Sequence, residues 1–227
     1  DSSTSRGLGD VYKRQALGYI TYKSTHELDP YRPLESNVKP INIEVVALDW
    51  KWLFIYPDLG IATVNEIQFP ENTPLNFRIT SDAVMNSFFI PALGGQIYAM
   101  AGMQTRLHLI ANEKAEMEGI SANYSGAGFT GMKFKAISTS QEDFNAWVAA
   151  VKAAPKQLDQ AEYDALTKPS QNNPVALYSA FEPDLFQKIV DKYEGMKPGK
   201  PVKHEKKEVA VVEGSDTGSH STAGAEE

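Results

Sequence analysis

Between Ile41 and Ser138 the chain is cut into short runs of alternating apolar and polar residues, with Gly, Pro, Asn and Asp at the breaks. Ile41, Ile43 and Val45 alternate with Asn42, Glu44 and Val46. A period of two is the mark of a strand that presents one face to a core. The same strand is predicted to continue, with Trp50, Trp52, Phe54 and Tyr56 on one face and Lys51, Leu53 and Ile55 on the other. Further strands are predicted at residues 61–69, 75–80, 84–90, 96–99, 105–111, 119–124 and 133–138. Seven or eight short strands at this spacing predict a mainly β chain, either a sandwich or a barrel. A hydrophobic content of 42% in 227 residues is enough for a substantial core.

After Ser138 the period becomes helical. Ser140 can cap a helix, with Asp143 as its capping-box partner. Phe144, Trp147, Val148 and Val151 then form one apolar stripe. A second short helix is predicted over residues 158–166. A third opens at Pro183, a favoured first-turn residue, and turns Leu185, Phe186, Ile189, Val190 and Tyr193 inward. Helices this short are not stable alone, so they must lie on the β domain or on a partner. From Gly195 onward few large apolar residues remain, which predicts a disordered tail.

The other end reads differently. Asp10-Val11-Tyr12-Lys13-Arg14-Gln15 is what the frame GAT-GTG-TAT-AAG-AGA-CAG encodes, the end of a transposon-type sequencing adapter. Residues 1–15 are therefore expected to be non-native and are set aside from the fold, a genuine flexible N-terminus being the other reading. Residues 16–23 form a short apolar stub closed by Tyr19, Tyr22 and Lys23, as membrane helices are at the water interface. Residues 24–39, with Pro30, Pro33 and mixed charges, read as an extended linker.

Composition removes several classes of function. There is no cysteine, which forbids disulfides, Cys-type zinc and any thiolate copper site. The formal net charge of −7 argues against a nucleic-acid partner. No apolar run reaches the length of about 18 residues that a membrane span needs. His26, His108, His204 and His220 are scattered without metal-ligand spacing. His108, between Leu107 and Leu109, reads as a structural strand histidine. Met85, Met100, Met103 and Met132 could be imagined as copper-handling, but methionine is a common filler of irregular core gaps. Ser121 and Ser125 have no histidine near in sequence, and no nucleophile–base pair or nucleotide motif stands out.

A resemblance is carried by long segments: Asp49 to Pro57, Gly60 to Glu66, Val84 to Pro91, Gln96 to Leu109 and Tyr124-Ser125-Gly126. Over residues 22–193 the chain resembles subunit II of the heme–copper respiratory oxidases, in particular the bo-type ubiquinol oxidase branch. The resemblance implies a cupredoxin-like Greek-key β-sandwich, followed by a C-terminal helical arm. It also implies a leader and two membrane helices before the stub, which would be the outer end of the second. The expected organisation is thus non-native sequence at 1–15, helix end and linker at 16–39, cupredoxin-like periplasmic domain at 40–138, arm at 139–195 and tail at 196–227.

Copper-bearing members of that superfamily hold a dinuclear centre on a loop and an upstream histidine. Here the loop positions hold Ser121, Asn123, Ser125, Phe129 and Met132, and Asn86, 35 residues before Ser121, occupies the histidine's place. Copper takes soft or borderline thiolate and imidazole donors; a serine hydroxyl is a poor substitute and a phenyl ring is none. Asn123 stands for a glutamate that also serves a nearby magnesium in the relatives. Gly126 and Gly128 are assigned to loop geometry with positive φ. The ladder of Trp50, Trp52, Phe54 and Tyr56 is core packing by default, and otherwise a contact with membrane-embedded subunits.

The expectation is a non-redox subunit of a proton-pumping ubiquinol oxidase, in the bacterial inner membrane with its domain on the periplasmic face. This chain carries no catalytic residue, metal or cofactor of its own; hemes, copper and the quinol site belong to subunit I, its partner. Two rivals are a subunit II with a working copper centre, which the missing thiolates oppose, and a free-standing cupredoxin-like binding protein or copper chaperone.

Overall fold

The computed structural model describes residues 2–27, 29 and 38–193. The tail at 196–227, with His204 and His220, and most of the linker fall outside the described residues. The first element is a helix, α1 (Ser2–Glu27), continuous through the segment expected to be non-native and through the stub. From Gly9 on, its side chains are exposed apart from Ser24, and Val11, Tyr12, Leu17, Tyr19, Ile20 and Tyr22 face solvent. Among the described residues no helix is long and apolar enough to cross a membrane.

Eleven strands follow: β1 (Ile41–Leu48), β2 (Lys51–Tyr56), β3 (Ile61–Val64), β4 (Glu66–Pro70), β5 (Leu75–Ser81), β6 (Asn86–Phe89), β7 (Gln96–Ala99), β8 (Thr105–Leu109), β9 (Ala115–Ser121), β10 (Lys133–Thr139) and, later, β11 (Ala176–Tyr178). They form two sheets, in the orders β11-β3-β2-β1-β5-β8 and β4-β10-β9-β6-β7. Most neighbours are antiparallel, but β1 runs parallel to β5 and β4 parallel to β10. These crossings make the chain a Greek-key sandwich, mainly β, as expected.

Two runs that read as single strands are each divided. Leu48 pairs with Lys51, so β1 and β2 are a hairpin whose two-residue turn is Asp49-Trp50. Trp50 takes φ 59° there. It has left the ladder and packs half-buried at the edge of the core, while Trp52, Phe54 and Tyr56 are fully buried in it. The second division falls at Asn65, φ 58°. It sends β3 into one sheet and β4 into the other. Asparagine suits this place because it tolerates the left-handed region and bonds nearby backbone with its side chain. Its Oδ1 accepts from Trp52 N at 2.9 Å and its Nδ2 donates to Asn173 O at 3.0 Å.

The core between the sheets is aromatic. Trp52 meets Phe88 and Phe134 at 5.4 and 5.8 Å, and Phe88 stacks on Phe134 at 5.2 Å. A second core lies on the outer face of the six-stranded sheet. Val46, Leu48, Leu53, Ile55, Ala62 and Val64 point outward there, and residues after 139 cover them. The cover consists of α3 (Gln160–Leu166), β11 and α4 (Leu185–Asp191), whereas α2 (Gln141–Lys152) packs Trp147, Val148 and Val151 on the main core. Ser140 caps α2 by accepting from Asp143 N at 3.1 Å. Phe144 and Val151 are buried beneath that helix. Leu158, Tyr163, Tyr178, Leu185, Phe186, Ile189 and Val190 fill the second core.

The region after 138 is therefore more than a helical arm. It adds a strand to the sheet, and residue 138 is no packing boundary. The third helix also begins later than Pro183, at Leu185, because Asp184 takes φ 58° and cannot continue a right-handed turn.

Candidate functional site

One end of the sandwich carries the positions singled out in the sequence. The hairpin turn at Trp50, the loop from Asp82 to Met85 and the loop from Ala122 to Met132 converge there. Asn86 opens β6 and Ser121 ends β9, neighbouring strands that pair at Phe88 and Ser121. Asn86 is 1% and Ser121 4% exposed. The Ser121 hydroxyl donates to Asn86 Oδ1 at 3.0 Å, with Asn123 O a second acceptor at 3.3 Å. Asn86 Nδ2 donates to Val84 O at 2.9 Å, and Asn123 Nδ2 to Met85 O at 3.0 Å. Ser121 N donates to Met132 O at 3.3 Å, and the Met132 side chain is buried in the main core.

Asn86, Ser121, Asn123 and Met132 are thus drawn into one closed set of contacts. The Ser121 hydroxyl is used within it, and both asparagine amide N–H groups are taken by the adjoining carbonyls of Val84 and Met85. Ser125 lies outside that set, and Phe129 touches it through its carbonyl alone, which accepts from Met132 N at 3.1 Å. The Ser125 carbonyl accepts from Trp50 Nε1 at 3.1 Å, while its hydroxyl is buried without a partner. Phe129, in a 3-10 turn (Phe129–Gly131), leans on the exposed Tyr124 ring at 5.7 Å.

Trp50 is the lid on this loop. A β-carbon on Gly128 would lie 2.3 Å from the indole Cδ2. Gly126 has the positive φ expected of it, 107°. Gly128 does not: its φ is −91°, and it is glycine because the indole leaves no room for a side chain. A bulky residue in the left-handed region costs of order 1–3 kcal/mol; here the ring's contacts with residues 125–128 hold it.

The ladder residues divide accordingly. Trp52, Phe54 and Tyr56 are 0% exposed, so as candidate subunit contacts they are corrected to core residues. Trp50 alone of the four reaches the surface. Tyr56 donates its hydroxyl to Gln68 O at 2.9 Å, and burial raises its pKa above the ordinary value.

Of the methionines, Met132 is core, whereas Met85 and Met103 are exposed. His108 is half-buried on β8, and His26 on α1 lies 2.9 Å from Tyr22 O through Nδ1. Among the described residues no three His, Asp or Glu side chains are grouped to hold a metal ion.

Two charged residues to which the sequence assigned no role hold the region after 139 to the sandwich. Lys51 is 1% exposed and donates to Leu166 O at 2.6 Å, Lys168 O at 2.9 Å and Ser170 Oγ at 2.6 Å. It fastens the end of α3 to β2, and burial lowers its pKa. A lysine inside an apolar strand was the available signal. Asp82, a lone aspartate in a loop between strands, gave none.

The COX aromatic rich motif matches residues 152–197, the stretch that contains α3, β11 and α4. Cytochrome bo(3) ubiquinol oxidase subunit 2 of Pseudomonas putida is 72% identical over 214 residues, covering 93% of this chain and 68% of its own length. The chain belongs to the ubiquinol oxidase subunit 2 family. The Pseudomonas aeruginosa protein of the same name is 60% identical over 202 residues, spanning 89% of this chain and 61% of that one. Ubiquinol oxidase subunit 2 of Acetobacter aceti is 59% identical over 179 residues, spanning 78% and 58%. This chain therefore spans about three fifths to two thirds of the length of these subunit 2 relatives. Identities this high to subunit 2 proteins do not favour a free-standing copper carrier. Among solved structures, the periplasmic domain of subunit II of cytochrome oxidase of Bradyrhizobium japonicum matches with TM-score 0.49 and 20% identity, over 52% of this chain and 96% of that one.

Proposed function

We propose that this chain is a non-redox subunit 2 of a proton-pumping ubiquinol oxidase, and that its loop end is a copper-relay scaffold whose ligands have been replaced. The observation that carries the reading is the donor set at that end. Asn86, Ser121, Asn123, Ser125, Phe129 and Met132 offer amides, hydroxyls, a phenyl ring and one thioether. None is a thiolate or imidazole, and a lone thioether is too weak to retain copper. The two amide N–H groups are spent on the carbonyls of Val84 and Met85, and the Ser121 hydroxyl on Asn86 Oδ1. Hydrogen bonds staple the two strands where metal ligands would otherwise do so.

Quinol dissolves in the membrane, so electrons can enter the oxidase there without crossing this subunit. Hemes, copper and the quinol site then belong to subunit I, and this chain caps that subunit on the periplasmic face and supports its assembly. Membrane attachment is through N-terminal helices, as the family resemblance implies, in the bacterial inner membrane. Trp50 and the loops beside it are the side chains offered to the membrane-embedded subunits.

Restoring the donors together tests the alignment on which this rests. Asn86→His, Ser121→Cys, Asn123→Glu, Ser125→Cys and Phe129→His in one chain should give a folded protein that turns coloured in copper. A folded variant that stays colourless would show that the scaffold does not converge these side chains, and would overturn the reading of the loop.

A further inference from the structure

Asp82 is a buried carboxylate that the proposed function does not use. Its side chain is 0% exposed. It sits just after β5, and its backbone N–H donates to Ala47 O at 2.9 Å, so its place on the sandwich is fixed. Among the described residues, its side-chain partners come from the region after 139. Tyr163 on α3 donates its hydroxyl to Oδ2 at 2.7 Å. Tyr193 donates to Oδ1 at 2.7 Å, and Lys192 Nζ to the same oxygen at 2.8 Å. One carboxylate thus gathers α3 and the segment just past α4.

The same segment reaches a second loop. A β-carbon on Gly102 would lie 2.8 Å from Tyr193 O, so the Met100–Met103 turn and Tyr193 are in direct contact. That turn is tied back to β5, because Thr80 Oγ1 lies 2.8 Å from Met103 O and 3.3 Å from Met100 O. Ser81 Oγ lies 3.1 Å from both Ala83 O and Val84 O. The loops at 82–86 and 100–104 therefore share one support, and Tyr193 closes it from outside. They also carry Val84, Met85 and Met103, exposed by 57%, 42% and 41%. Asn123, bonded to Met85 O, brings the exposed Tyr124 to the same end.

We infer that Asp82 is the receptor of an intramolecular clasp: the aromatic segment docks on it through Tyr163, Lys192 and Tyr193, and this docking sets the shape of the loop end at 82–86 and 100–104. A buried carboxylate is stable only when its charge is hydrogen-bonded and paired. Two hydroxyls and an ammonium meet that need only when the segment is seated. Seating and loop geometry are then one event. The inference stands on these contacts alone and does not depend on the quinol-oxidase reading.

Amide hydrogen exchange on the full 227-residue chain tests it, with Asp82→Ala, Tyr163→Phe and Tyr193→Phe. The expected result for Asp82→Ala is exchange faster by roughly tenfold or more in residues 185–193 and also in residues 83–86 and 100–104. β2 and β5 should keep their protection. Tyr193→Phe removes one hydroxyl only and should loosen the same two loops to a smaller degree, while Tyr163→Phe loosens α3 and the 83–86 loop. If Asp82→Ala does not fold, the two tyrosine variants carry the test. Loops that exchange as in the parent while the clasp loosens would overturn the inference. Unchanged exchange everywhere would overturn it too.

Discussion

Trp50 shows how one residue can be placed wrongly by a sound rule. It continues a period-two run, so sequence puts it on the core face with Trp52, yet Leu48 pairs with Lys51 and the run folds back at Asp49-Trp50. The turn lacks the glycine that normally marks a two-residue hairpin, and nothing local announced it. What makes an aromatic residue tolerable at φ 59° is the loop it covers: the Ser125 carbonyl for its N–H and the bare face of Gly128 for its ring. Gly128→Ala should therefore evict the indole, at a cost of about 1–3 kcal/mol for an overpacked contact. A double-mutant cycle read by denaturant midpoints checks the cause: in a Trp50→Ala background the same change should cost close to nothing. An equal penalty in both backgrounds would contradict the account of Gly128.

At the scale of elements, β1 and β2 are the pair most changed by their surroundings. Every residue from Ile43 to Leu48 and from Lys51 to Tyr56 is buried, whichever face it points to. Strands covered on both sides lose the clean alternation of a half-exposed sheet. Val45-Val46-Ala47-Leu48 and Leu53 with Ile55 were the legible trace of that second cover.

Glu44, on the covered face of β1, belongs to the same interface. It lies 2.8 Å from Arg78, whose guanidinium sits 4.9 Å from the Phe186 ring centre. Burial raises the Glu44 pKa above its ordinary value of 4.5, and the Arg78 charge only partly opposes this. A carboxyl raised on folding adds stability that is complete below the unfolded pKa and is lost as pH climbs through the folded pKa. Glutamine has no such dependence. The stability of Glu44→Gln relative to the parent should therefore improve as pH rises from 4.5 towards 7, measured by denaturant midpoints at both ends. A relative stability that falls over this interval would show that the Arg78 pairing outweighs burial.

For the whole molecule, the sandwich was legible and the way its parts lock was not. Short alternating runs gave the strands, and the helical stripe of Phe144, Trp147, Val148 and Val151 gave α2 with its Ser140 cap. Two features were hidden because they depend on partners distant in sequence: Asn65 exchanges sheets by bonding Trp52 and Asn173, and β11 is a strand only because β3 offers it an edge. The loop end was legible as an arrangement of residue types, since absent thiolates are visible in a sequence. That Ser121 bonds Asn86, that the two asparagine amides find the carbonyls of Val84 and Met85, and that Ser125 belongs with Trp50, required the fold.

The central claim is chemical: a scaffold with the spacing of a copper relay has no donors that retain copper. Metal analysis and the visible spectrum of the purified 227-residue chain, loaded with copper and then dialysed, test it most directly. The account predicts no stoichiometric copper and no visible absorption band. One tightly held copper per chain with a charge-transfer band would contradict it.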